Sequence, residues 1–196
     1  MALSPALTER RIPLLTTVLV FAAVLAALVV EDRGHPGAPD AADLRTAPGA
    51  AVLALTGPHP MDAVAELRDA RTTLGYSPVV VDGHPANPHG GCSSPVPMPT
   101  RFEPLCAVHD LGYDLLRWAA RSGHPLGPWA RLRLDGELVA AMRRSCHDPT
   151  CAAAADLARV GLMVNTWRQH DGVPVVEDTR AIISSVLVRI VETADR

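Results

Sequence analysis

The first pattern along the chain is an unbroken run of 19 uncharged, mostly apolar residues from Ile12 to Val30. As a helix it would span about 28 Å, close to the hydrocarbon thickness of a bilayer. Arg10 and Arg11 precede the run, and Glu31, Asp32 and Arg33 follow it. The positive-inside rule therefore keeps residues 1–11 cytoplasmic and carries the remainder across the membrane. The run is longer than the apolar region of an ordinary signal peptide, and no clean A-x-A site follows it directly. A transmembrane anchor at 12–30 and a cleaved signal segment are both compatible with this pattern. Residues 31–60 then read as a linker, with Gly34, Pro36, Gly37, Pro39, Pro48 and Gly49 as breakers. Val52 to Leu55 interrupts it as a short apolar stretch that could dock as a strand or a helical turn.

From residue 61 onward the apolar period is helical. Ala63, Val64, Leu67, Ala70 and Leu74 share one stripe, which predicts a helix over Met61 to Leu74. Ser77 to Pro104 is rich in proline and glycine and reads as a long loop. Three helices follow, at Pro104–Arg121, Pro128–Arg144 and Pro149–Gln169, each opened by a proline suited to the first turn. A last helix is predicted at Thr179–Ala194, with Asp178 in N-cap position. Its apolar side carries Ile182, Ile183, Val186, Leu187, Ile190 and Val191, the pattern of a core-packed helix. Membrane contact is the alternative for that side. No stretch alternates with period two, so residues 61–196 are expected to form a small all-α domain after an N-terminal membrane helix.

Composition adds compartment rather than chemistry. The chain is 48% hydrophobic, 4% aromatic and 20% charged, with a formal charge of −3. All 18 basic residues are arginine, and the balance gives no reason to expect a nucleic-acid partner. The apolar segment places the four cysteines outside the cytosol, where disulfides persist. Local pairing is the economical arrangement: Cys92 with Cys106, and Cys146 with Cys151. Zinc held by His109, His147 and the cysteines is the competing reading, but the spacings match no zinc-finger pattern.

Cys106-Ala-Val-His109-Asp110-Leu-Gly-Tyr113 is the most informative stretch. On a helix Cys106, His109 and Tyr113 share a face, while Asp110 lies about 100° around the axis. This stretch resembles the C-x-x-H-D-x-x-Y helix of the bacterial secreted phospholipase A2 family. Upstream, Cys92-Ser-Ser-Pro stands where that family has the cysteine of its calcium loop. Downstream, Arg133-Leu134-Asp135 followed by Met142 and Cys146 is similar to the facing helix, and Cys151 opens the next one. The resemblance covers residues 90–168, the disulfide-tied part of the domain.

The resemblance implies calcium-dependent hydrolysis of the sn-2 ester of glycerophospholipids, so the partner is a phospholipid membrane. His109 would be the general base on a water, because imidazole titrates near neutral pH. Asp135 would orient the ring and stabilise the imidazolium, with Tyr113 supporting it. Asp110 and the backbone around Gly91 would hold Ca2+, which polarises the carbonyl. The sequence departs from the family at Gly90, where an aspartate ligand normally stands. Losing that carboxylate weakens the expected calcium site, and Asp82 or Glu103 are the substitutes within reach along the chain. Two other readings follow. The domain could be a non-catalytic lipid-binding or interaction module on the same scaffold. Or His109 and Asp135 could be a satisfied polar pair in a plain helical core.

Overall fold

The structure, a computed structural model, describes residues 37–67, 70–94, 96–177 and 179–194. The segments expected to be a cytoplasmic N-terminus (1–11) and a membrane anchor or signal (12–30), and the expected Asp178 cap, lie outside the described residues. Among the described residues no helix is long and apolar enough to cross a membrane. The domain is mostly helical. Its α-helices are α1 (Ala47–Leu55), α2 (Ala63–Glu66), α3 (Arg71–Leu74), α4 (Glu103–Arg121), α5 (Pro128–Ser145), α6 (Pro149–Arg168) and α7 (Thr179–Ala194). The four long helices of the sequence reading stand within one residue of their expected ends.

Three expectations change. First, a short antiparallel hairpin, β1 (Val79–Val81) and β2 (His84–Ala86), occupies part of the expected loop. Its turn is Asp82-Gly83, at φ 49° and 77°, the left-handed pair that a two-residue hairpin turn requires. Second, the expected helix at Met61–Leu74 is divided into α2 and α3, preceded by a 3-10 turn at Pro60–Asp62. Third, the expected linker at 31–60 contains packed structure. Thr46 caps α1 by accepting from Gly49 N at 3.1 Å, and Ala51, Val52 and Leu55 of α1 are buried.

The reason lies in a residue with no apolar signal. Asp43 is buried and accepts from Trp129 Nε1 at 2.6 Å, Gly127 N at 3.0 Å and His124 Nε2 at 3.1 Å. It thereby fastens the segment before α1 to the start of α5. Burial pulls its carboxyl upward, but the donors from Trp129, Gly127 and His124 outweigh this and hold it below the usual aspartate range.

Two apolar cores meet along α4 and α5. One joins α1, Ala63, Leu67 and Ala70 to Leu111, Leu115, Leu116, Trp129 and Leu134. The other joins Phe102, Cys106, Leu138, Met142, Cys151 and Ala155, with Cys92 and Cys146 against it. Both disulfides form as expected, Cys92–Cys106 with Cα atoms 5.1 Å apart and Cys146–Cys151 at 5.4 Å. The first ties the loop to α4, and the second joins α5 to α6, whose N-cap Asp148 accepts from Cys151 N at 2.9 Å.

The last helix packs against the expectation. α7 turns Arg189 inward, 7% exposed, and leaves Leu187, Val188, Ile190 and Val191 outward, each 47–60% exposed.

Asp43→Ala leaves three donors without their charged acceptor and is expected to lower stability by about 3 kcal/mol. The lowered carboxyl fixes the sign of the pH effect. The difference from wild type is full above about pH 4, the ordinary aspartate pKa, and shrinks as pH falls through the native value. Urea denaturation of both proteins at pH 7 and pH 3 checks this; an equal gap at both values contradicts it.

Candidate active site

His109 and Asp135 lie where the two cores join. On α4, His109 stands between Cys106 of one core and Leu111 of the other; on α5, Asp135 stands between Leu134 and Leu138. Each is only 8% exposed. His109 Nε2 lies 2.8 Å from Asp135 Oδ1.

Close approach of the two helices makes this reach possible. A Cβ built on Gly112 would lie 2.3 Å from Leu134 Cδ2 and 3.0 Å from Cδ1. Glycine in mid-helix costs about 1 kcal/mol relative to alanine, and here its missing side chain is the space that Leu134 fills. Leu134 adjoins Asp135, so the contact sets the register of the dyad.

Asp135 is fully subscribed. Tyr113 Oη donates to the same oxygen as His109 at 2.8 Å, and Thr166 Oγ1 of α6 donates to Oδ2 at 3.0 Å. Burial pushes the Tyr113 phenol far above its ordinary range and the Asp135 charge adds to this, so the phenol keeps its proton and stays a donor. The His109 and Tyr113 rings stack at a tilt, with centroids 4.1 Å apart. With Nε2–H directed at Asp135, the neutral imidazole carries its lone pair on Nδ1. Among the described residues the bond to Asp135 is the one side-chain hydrogen bond of His109.

A cation stands behind the pair. Arg131, one turn before Asp135 on α5, is 2% exposed, with its guanidinium 5.4 Å from the centre of the Tyr113 ring. It donates through Nη1 to the Gly172 carbonyl at 2.7 Å. That contact holds the turn after α6, and Thr166 stands just before the same turn. Neither Arg131 nor Thr166 figured among the expected site residues. Arg131 was traceable by period, since 131, 134, 138 and 142 form one helical stripe with Leu134, Leu138 and Met142. Thr166 had no signal beyond lying near the end of an alanine-rich helix. Arg133, of the R-x-D pattern, takes no part in the hydrogen bonds of the dyad.

The expected calcium loop is closed on itself. Gly91 N donates to Asp110 Oδ2 at 2.9 Å, and Cys92 N donates to Glu103 Oε2 at 3.0 Å. Burial raises the Asp110 carboxyl against the opposing pull of the Gly91 amide. A Cβ on Gly90 would lie 2.9 Å from Asp110 Oδ2 and 3.0 Å from Ala107 Cα, so an aspartate cannot be added there without a shift. Asp82 sits in the hairpin turn. Calcium takes six to eight oxygen ligands. Here the loop directs amide hydrogens at the two carboxylates, and among the described residues no three His, Cys, Asp or Glu side chains gather as a metal site. The residues as placed do not fit a calcium ion.

A cavity of about 280 Å³ lies beside α1 among Leu44, Leu53, Pro58 and His59 and shares no residue with the dyad. Comparison with protein-family models, with curated proteins and with solved structures finds no match. The resemblance to the phospholipase family rests on the residues quoted for it.

Gly112→Ala is expected to destabilise the domain by about 1–3 kcal/mol through overpacking against Leu134, despite its better helix propensity. Denaturant unfolding measures this directly. A more stable variant would show that the helices are free to separate.

Proposed function

We propose that the domain hydrolyses the sn-2 ester of glycerophospholipids, with His109 as general base and Asp135 as its orienting partner. The observation that carries this reading is the buried 2.8 Å bond from His109 Nε2 to Asp135, which leaves Nδ1 as the basic nitrogen. A water beside Nδ1 gives up a proton to the ring as its oxygen adds to the ester carbonyl carbon. The imidazolium so formed is stabilised by Asp135, itself held by Tyr113 and Thr166. Collapse of the tetrahedral intermediate breaks the bond to the glycerol oxygen, which takes the proton back from Nδ1. The products are a free fatty acid and a lysophospholipid.

The two disulfides suit an extracytoplasmic location, where a membrane-tethered or secreted form would meet lipid. No step of this reading passes through calcium, because the amides of the 90–92 loop engage the Asp110 and Glu103 carboxylates of α4. That same loop favours a second reading, a lipid-binding module on the phospholipase scaffold that has lost turnover.

Fatty-acid release from phosphatidylcholine vesicles by the full chain, measured with calcium and with chelator, separates the readings. The hydrolase predicts release in both arms, lowered about 10²–10⁴-fold in His109→Ala. Release abolished by chelator would return calcium to the mechanism. Vesicle binding without release above the His109→Ala level in either arm would favour the binding module.

A further inference from the structure

Helix α7 is amphipathic in the reverse sense. Its inward side carries polar contacts beside half-buried Val186: Arg189 donates through Nε to the Trp167 carbonyl at 3.2 Å, with its guanidinium 5.8 Å from the Trp167 ring centre. Ser185 Oγ accepts from Arg168 Nη1 at 2.9 Å. Its outward side is aliphatic. Leu187 is 59% exposed, Val188 56%, Ile190 47% and Val191 60%, and Val176 in the segment leading to the helix is 82% exposed. At 100° per residue the four helical positions fall within a sector of roughly 160° centred opposite Arg189. The same sector contains Arg180 and Ser184, both exposed, and no carboxylate among the described residues.

A soluble surface rarely presents such a strip without a use. The sequence supplies the occupant. The 19-residue apolar run that ends at Val30 is long enough to enter a bilayer, and Gly37 is the first described residue. The six residues between them reach at most about 20 Å, so a run seated in lipid confines the domain to the membrane surface. Tethering of this kind makes a weak apolar contact effective, because the second contact is intramolecular. One arginine and no carboxylate in the strip also suit anionic headgroups. A second copy of the chain is less well matched. Five partly exposed aliphatic side chains fall short of the about 800 Å² per partner of a stable interface.

We propose that the outward face of α7 docks on the bilayer surface, Leu187, Val188, Ile190 and Val191 entering the headgroup–acyl boundary while Arg189 and Ser185 hold the helix to the domain. This inference does not need the domain to turn over substrate, and its test reads no activity.

The test uses the full chain reconstituted in phosphatidylcholine–phosphatidylglycerol vesicles, with Leu187→Cys carrying an environment-sensitive fluorophore. The four native cysteines are paired in disulfides, so the new thiol is labelled selectively. Docking predicts blue-shifted emission and about twofold or greater quenching by spin-labelled lipid, with the same label on Thr72→Cys, at an exposed position of α3, remaining in water. Leu187→Cys, being exposed, should leave the circular dichroism spectrum unchanged. The same result in a His109→Ala background keeps docking separate from catalysis. Water-like emission at position 187 would overturn the proposal. So would a blue shift that lipid quenchers do not touch and that grows with the protein-to-lipid ratio, the mark of a second copy.

Discussion

The constraint on which this structure depends is the burial of one carboxylate. An ionised aspartate removed from water costs several kcal/mol unless its oxygens are met by donors. Asp135 is met by three, from His109, Tyr113 and Thr166. These come from α4 and α6, while Asp135 belongs to α5, so satisfying one side chain fixes three helices in rotation and register. Apolar packing alone is more forgiving, since leucine can slide against leucine at small cost.

Several local features follow from that demand. Gly112 brings α4 and α5 close enough for a histidine to reach across. Arg131 places a positive charge behind the pair and also holds the Gly172 carbonyl, close in sequence to Thr166. The disulfides brace the periphery of the same unit, one on the loop before α4 and one between α5 and α6. A chain with 4% aromatic residues has few large side chains for its core. Covalent ties and a shared polar centre supply order that bulk does not.

Much of this was legible in the sequence. The helices after residue 100 are marked by period, and three of the four also by prolines at their starts. Cysteine spacing pointed to both pairings, and the C-x-x-H-D-x-x-Y and R-x-D patterns singled out His109, Tyr113 and Asp135, which the structure joins. The failures have physical causes. Asp82-Gly83 is a strong hairpin signal between valines and a histidine, yet in a segment dense with proline and glycine it read as one more breaker. Asp43 turned an expected linker into packed structure through polar contacts at long sequence separation, which hydrophobic period cannot register. α7 has the expected length, but Leu187, Ile190 and Val191 of its apolar stripe stand outward, because periodicity identifies the apolar side of a helix but not what that side meets. At Gly90 the sequence showed that a carboxylate was missing. The fold adds that backbone amides of the same loop occupy Asp110 and Glu103.

On the proposed function, the buried histidine–aspartate pair works on an ester and does not merely hold helices together. Mass spectrometry of the fatty acid released from a phosphatidylcholine with different chains at its two positions tests it most directly. The wild-type chain is expected to release the sn-2 chain, with a correctly folded His109→Ala protein releasing almost none. Equal release by the two proteins, or none by either, would contradict a catalytic role for the pair.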